Sequence, residues 1–360
     1  MISPDLHSGD RLRARIALSA DGNRLALGFP SAGSADDFGM VVIHHRTSSG
    51  WVLEQSFIPD FVRPGEIGGI LGINATGDTL LMGKYEGGTK LQILHRTGTT
   101  WSLVKEIQAA QSTDPSTVSI ECANARLSAN GLTIARTCML YENFNEDGKP
   151  SIEVFAAPSW TRRNVIAMSA LAHQSRLGDL SMDACGDTLA IAASLPDTPP
   201  HVTPIVAIYH RAEGEYSRMA TLLPHWWSSN PAETRASQFG AVLELNRDGT
   251  LLAIGDSADS TAGEGVLSAP FAGASTNLRG AVYVYERSGT SWRLRRLVKP
   301  NSTPGVFNVN TYDGFGAALS LGDNGRTLIV GHGNESSYVS NSASQQPTKS
   351  GANSGAVWLY

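Results

Sequence analysis

The chain is short of cysteine, of charge and of long apolar runs. Three cysteines in 360 residues cannot hold together a fold built on disulfides, and the odd number leaves at least one unpaired. Only 17% of residues are charged, and the net charge of -5 comes without any run of lysine or arginine. A basic footprint for phosphate backbones is therefore missing, which excludes nucleic acid as the expected partner. No stretch approaches the roughly 20 apolar residues that span a bilayer, so no membrane insertion is expected. The opening "MISPDLHSGD" lacks the regions of a signal peptide. The triplets at Asn74, Asn301 and Asn334 are glycosylation sequons that fit a soluble, secreted mature chain. Helical spacing of apolar residues is absent, as are a P-loop, a dinucleotide fingerprint and a nucleophile elbow. The segments "GGILG" and "GEGVLSAPFAG" have no following helix to receive a phosphate. The nine histidines include His44-His45 in one apolar run but no closely spaced ligand set, so neither cofactor nor metal is expected.

What the chain has instead is one phrase said six times. Gly22, Gly77, Gly131, Gly186, Gly249 and Gly325 occupy equivalent places, 55, 54, 55, 63 and 76 residues apart. Each copy reads as an alternating run such as "AVLEL", a turn such as "RDG", a second run "TLLAIG", a variable loop, a third run "GAVYVYER", a short polar turn and "SWRLRRLV". Apolar residues on alternate positions, rich in β-branched and aromatic types, specify strands. Asp21-Gly22, Asn130-Gly131, Asp248-Gly249 and Asn324-Gly325 are residue pairs that tolerate positive φ in tight hairpins. A four-stranded unit with two apolar faces cannot stand alone, so successive units must cover one another. The expected fold is all-β: a six-bladed β-propeller, one domain over residues 1–360, with repeats at about 10–61, 66–110, 121–168, 175–223, 237–299 and 313–360. A linear stack would expose two apolar ends needing distinct caps. The chain ends in a third-strand run, "GAVWLY", while "ISPDLHSGD" aligns with "FIPDFVRPGE", the tail of a fourth strand. The N-terminus is thus expected to complete the last blade and close its edges.

The pattern is clearest in "FGAVLELNRDGTLLAIG" with "RGAVYVYERSGTSW" and in "FGAALSLGDNGRTLIVG" with "SGAVWLY". It resembles the FG-GAP repeats of integrin-α-type propellers. In copies two to four the Phe-Gly pair becomes Ile67-Gly68, Glu121-Cys122 and Leu177-Gly178. Integrin propellers have seven blades, which keeps a seven-bladed ring as the alternative. Calcium-binding integrin blades carry an Asp-rich loop of the form D-x-D-x-D-G. No copy here has one, and "SADGNR" or "NRDGTL" offers too few oxygens for a six-to-eight ligand shell.

In this topology the turns between strands one and two, and three and four, share one side and are short and uniform. The other side collects long segments such as "RTCMLYENFNEDGKPS", "LPHWWSSNPAETRAS" and "GDSADSTAGEGVLSAPFAGASTNLRG". Long loops cost closure entropy without adding core, so their gathering on one side points to function. The candidate ligand-binding residues there are Trp226, Trp227, His225, Tyr141, His332, Tyr338 and Phe271, since flat rings give contact area with little entropy to lose. A second set departs from the small residues usual near the first strand: Arg13, Arg15, Arg126 and Asp179, with Asn124 and Glu244. These either line a funnel suited to an acidic or polyhydroxylated ligand or pair with one another between blades. The expected partners are a small molecule, a glycan or a protein at the long-loop face. The leading expectation is a binding or adhesion module; the alternative is a metal- and cofactor-independent enzyme of cyclase, pericyclase, isomerase or lyase type acting on a small apolar molecule. A plain scaffold is the third. Cys122 falls almost opposite residue 138 or 139 across the Asn130-Gly131 turn, so a bond to Cys138 depends on a one-residue difference in register. Cys185, in a turn on the other side, is out of reach of both.

Overall fold

The structure is a computed structural model. It describes residues 15–29, 40–57, 67–84, 90–108, 119–141, 148–168, 177–196, 202–225, 237–268, 279–301, 314–332, 337–338, 348–349 and 356–360. The chain is all-β, with six antiparallel blades of a β-propeller. It divides into two compact units, 1–173 and 174–360.

In the first unit, blade one is β1 (Arg15–Leu18), β2 (Arg24–Phe29), β3 (Met40–Thr47) and β4 (Gly50–Phe57). Blade two is β5 (Ile67–Ile73), β6 (Thr79–Lys84), β7 (Leu91–Thr97) and β8 (Thr100–Ile107). Blade three is β9 (Ser119–Leu127), β10 (Thr133–Tyr141), β11 (Lys149–Ala156) and β12 (Thr161–Ala167). In the second unit, blade four is β13 (Leu180–Met182), β14 (Thr188–Pro196), β15 (Val202–Ala212) and β16 (Glu215–Leu222). Blade five is β17 (Val242–Leu245), β18 (Leu251–Asp256), β20 (Ala281–Ser288) and β21 (Ser291–Lys299), with the short β19 (Gly265–Leu267) added beside β21. Of blade six, β22 (Phe315–Leu321), β23 (Leu328–His332) and β26 (Ala356–Leu359) are described, and β24 (Ser337–Tyr338) pairs with β25 (Thr348–Lys349) as a separate hairpin. The expected closure of this blade by the N-terminus falls on residues 1–14, outside the described set.

Period two explains how each sheet serves two neighbours. Leu80 and Met82 of β6 pack with Ala26, Val41 and Ile43 of blade one, while Leu81 between them packs with Ala125, Ile134 and Phe155 of blade three. In the second unit Tyr283 and Tyr285 of β20 face Val206, Ile208 and Leu222 of blade four, whereas Val282 and Val284 face Phe315 and Val330 of blade six. Polar ties follow the same path. Glu54 of blade one accepts from Arg24 at 3.2 Å and from Arg96 of blade two at 2.5 Å. The Gln55 amide both donates to Trp101 O and accepts from Trp101 N.

The recurring turns differ from the tight hairpins expected. Only the glycines have positive φ, at 67° for Gly22, 68° for Gly77 and 72° for Gly131, and the preceding Asp or Asn does not. The loop is four residues long, closed by Ser19 N–H to Arg24 O and by Gly22 N–H to Ser19 O, an arrangement built on a type I turn. Its anchor lies three residues before the glycine. Asn74 Oδ1 accepts from the backbone of Asp78 and Thr79, Asp183 from Asp187 and Thr188, and Asn246 from Thr250 and Leu251. Asn74 is 4% exposed, so its sequon is not a surface acceptor in the folded chain. Asn301 is exposed, and Asn334 lies outside the described residues.

The Phe-Gly pair also acquires a physical reason. Phe315 bridges Gly280 of blade five, and Gly316, at φ 86°, sits where a Cβ would stand 2.7 Å from Ala281 O. A side chain there would push two blades apart.

The two cysteines 122 and 138 are bonded to each other, with Cα atoms 4.0 Å apart, while Cys185 is exposed and takes no part in that bond. An irregularity in the β9–β10 pairing decides it: Arg136 opposes Ala125 but Cys138 opposes Cys122. The extra residue in β9 shifts the register by one and turns both side chains to the same face.

Candidate functional site

The long-loop end of blade five carries the densest buried polar cluster among the described residues. Asp256 closes β18, Asp259 lies on the loop that follows, Tyr283 comes from β20 and Lys299 ends β21. Asp256, Tyr283 and Lys299 are all 0% exposed and Asp259 is 1% exposed. Lys299 Nζ donates to Asp259 Oδ1 at 2.7 Å and Tyr283 OH donates to Asp259 Oδ2 at 2.6 Å. Thr261 adds its amide and hydroxyl to the same carboxylate. Asp256 gathers the connector that enters the blade: Ser237 Oγ lies 2.6 Å from its Oδ2, and Gln238 N–H donates to Oδ1 at 2.8 Å. Ala258 N–H donates to Oδ1 as well, and Ser257 is bonded to the Gln238 side chain.

Burial dominates the electrostatics here. Loss of water, and next to it the neighbouring Asp259 charge, push the Asp256 carboxyl up to about 7 against the pull of its three donors. Burial lowers Lys299 below the ordinary lysine range despite the Asp259 carboxylate beside it, and burial raises the Tyr283 phenol well above its usual value. Arg279 extends the network outward, reaching Pro300 O and Glu264. Tyr360 donates to Lys299 O from the last residue of the chain. The arrangement can hold a long loop and a connector in place and can exchange a proton; closed to solvent as it stands, it does not present a surface to a ligand.

The described residues among those singled out in the sequence fall on several blades of both units. Arg13, Trp226, Trp227 and Phe271 lie outside the described residues, and Tyr338 is placed only as part of β24. Arg15 is exposed on β1; Arg126 on β9, Tyr141 at the end of β10 and His225 after β16 are half-buried. His332 is not on a loop but in β23, 1% exposed and edge-on to Phe315 at 5.6 Å. Asp179 ties two blades, its Oδ2 accepting from Leu243 N–H of β17 at 3.0 Å.

A second buried cluster sits in blade three. Arg136 donates to Glu153 Oε2 at 2.6 Å and to Gln108 O of the preceding blade at 2.8 Å, and Arg162 closes on Glu153 Oε1 at 2.5 Å. Burial lowers the Arg136 guanidinium, and Glu153 pulls it back. The ligand atoms of Cys122, Cys138 and Glu153 lie within 4.8 Å of one another, but the sulfurs are spent on each other and the carboxylate on two arginines.

Sequence reading missed both clusters. The signal for the first was "GDSADST" after an apolar run, together with a lysine just before Pro300 in "RLVKP"; nothing local says that these meet.

Comparisons with known proteins bear on the architecture. No protein-family model matches the chain. No curated protein matches it either. Among solved structures it is similar to a protein from Lactobacillus plantarum, at 11% identity over 96% of this chain and 87% of that one, with a TM-score of 0.54. A chain in the crystal structure of the mitotic checkpoint complex is similar at 12% identity over 89% and 75%, TM-score 0.51. The periplasmic gluconolactonase of Pseudomonas aeruginosa is similar at 14% identity over 96% and 87%, TM-score 0.47. At these identities the likeness speaks to the fold alone, and none of these comparisons identifies the chain as an FG-GAP or integrin-type protein. No helix among the described residues is long and apolar enough to cross a membrane.

Proposed function

We propose that this propeller is a binding module that takes a small molecule, a glycan or a protein on the long-loop side of its blades. The observation that carries this reading is the ionic platform of blade five. Two carboxylates, a lysine and a tyrosine are buried where a short hairpin would need none of them, and buried charge is a poor means of gaining stability alone. What the platform supports is a long loop and the connector whose sequence contains Trp226 and Trp227. A fixed loop loses less entropy on binding than a free one. Trp226, Trp227, His225 and Phe271 form the inner set of candidates in this reading, with Arg13, Arg15, Arg126, Asp179, Tyr141, His332 and Tyr338 as the remainder. The Cys122–Cys138 bond fits an oxidising compartment, in keeping with a secreted chain. The FG-GAP resemblance, with its adhesion-type relatives, points the same way.

The enzymatic alternative has one feature in its favour: burial and the Asp259 charge push the Asp256 carboxyl up to about 7, where a general acid or base is useful. Its complete burial weighs against contact with substrate, so binding is preferred. The test is an immobilised glycan array together with a small-molecule thermal-shift screen, run on the wild type and on Trp226→Ala and Trp227→Ala. The expected result is retention of a ligand by the wild type, reduced about tenfold or more in at least one variant, with Tm within about 2 °C of the wild type. Unchanged retention in both variants would remove these residues from the site, and a substrate consumed rather than held would favour the enzyme.

A further inference from the structure

Charge counting in blade five leaves an excess. Asp256 and Asp259 are both sealed from solvent, and among the described residues the cation within hydrogen-bond reach of either is Lys299 alone. Two buried carboxylates against one ammonium would leave a net negative charge in the interior, which is costly without a further partner. Among the described residues, the groups around Asp256 supply none. Its own loop brings Asp259; β20 brings Tyr283; β21 brings Lys299, already committed to Asp259, with Arg279 behind it engaged with Pro300 O and Glu264. The connector brings Ser237 and Gln238, and β22 of blade six brings Gly316 against the neighbouring Gly255, none of which titrates.

We propose that this cluster stores one proton on Asp256, and that taking it up or releasing it sets how firmly the connector entering β17 is tied to the loop leaving β18. The geometry has a place for the proton. Oδ1 accepts the two backbone N–H groups of Gln238 and Ala258, while the partner of Oδ2 among the described residues is Ser237 Oγ, 2.6 Å away. A proton on Oδ2 donates to that hydroxyl, whose two lone pairs accommodate it beside Phe239 N–H. When the proton leaves, the serine becomes the donor and the interior carries the extra charge. The upward displacement of the Asp256 carboxyl to about 7 is consistent with this and fixes the sign. Below about pH 4 the group is protonated in both folded and unfolded chains. As pH rises the unfolded chain releases its proton first, so stability falls until the folded carboxyl ionises near 7 and then changes no further. The tie is therefore tighter on the acid side. None of this depends on which ligand the propeller takes.

The experiment is urea unfolding of the wild type and Asp256→Asn at about pH 5 and about pH 8. Asparagine keeps the acceptor for Gln238 and Ala258 and cannot ionise. The expected result is similar stability at the lower pH and a more stable variant at the higher, with the ratio of the two unfolding constants moving about tenfold or more between them. A variant weaker than the wild type by the same margin at both values would overturn the proposal, because it would show a carboxylate ionised throughout. Should Asp256→Asn not fold, infrared spectra of the wild type decide: a protonated carboxyl band present at about pH 6 and gone at about pH 8 supports the stored proton, and its absence at both refutes it.

Discussion

Arg136 shows what one residue can commit a blade to. Its guanidinium is nearly sealed from solvent, shared between Glu153 and the carbonyl of Gln108, and stacked over Phe155 at 5.1 Å. Removing the partner charge strands a cation in the core. Glu153→Gln is expected to cost about 3–5 kcal/mol in urea unfolding, and a loss under about 1 kcal/mol would mean that water reaches the site. The sequence hints at none of this: Arg136 interrupts "LTIARTCML" as one charge in an apolar run, and only the cross-strand register with Glu153 shows why it is tolerated. The same holds for Asp256 and Asp259, which read as turn residues until Lys299, forty positions from Asp259, comes in beside it.

Among the elements, what repeats at short range was legible and what depends on register was not. The glycine spacing located all six blades, and residue alternation assigned each strand its two faces. The turn anchor at Ser19, Asn74, Ser128, Asp183 and Asn246 stands three residues before five of the six glycines, with Gly322 in the sixth copy, a regularity that the sequence reading did not use. By contrast, every described fourth strand has a bulge three residues after its leading aromatic, at Glu54, Val104, Arg163, Met219 and Arg295. An extra residue shifts the alternation by one position, a change hard to read in so short a strand, and in an edge strand it twists the ladder away from edge-to-edge pairing. The bulge in β9 belongs to the same class of events and produced the disulfide. With the cysteines separated by 16 in sequence, the Cys122→Ser, Cys138→Ser double variant is expected to lose about 3 kcal/mol. Non-reducing peptide mapping checks the bond, and denaturation checks its contribution.

At the scale of the molecule, six sheets of similar design differ chiefly in the segments that join strand two to strand three and one blade to the next. Among the described residues, those of blade five include an added strand and a buried ionic platform. That is where recognition is expected. Hydrogen exchange with the tightest-held compound from the array or the thermal-shift screen tests this most directly. The account expects slowed exchange in residues 226–236 and 257–279, with the turns at 20–23, 75–78 and 184–187 unchanged. Slowing at those turns, with the long segments unaffected, would contradict it.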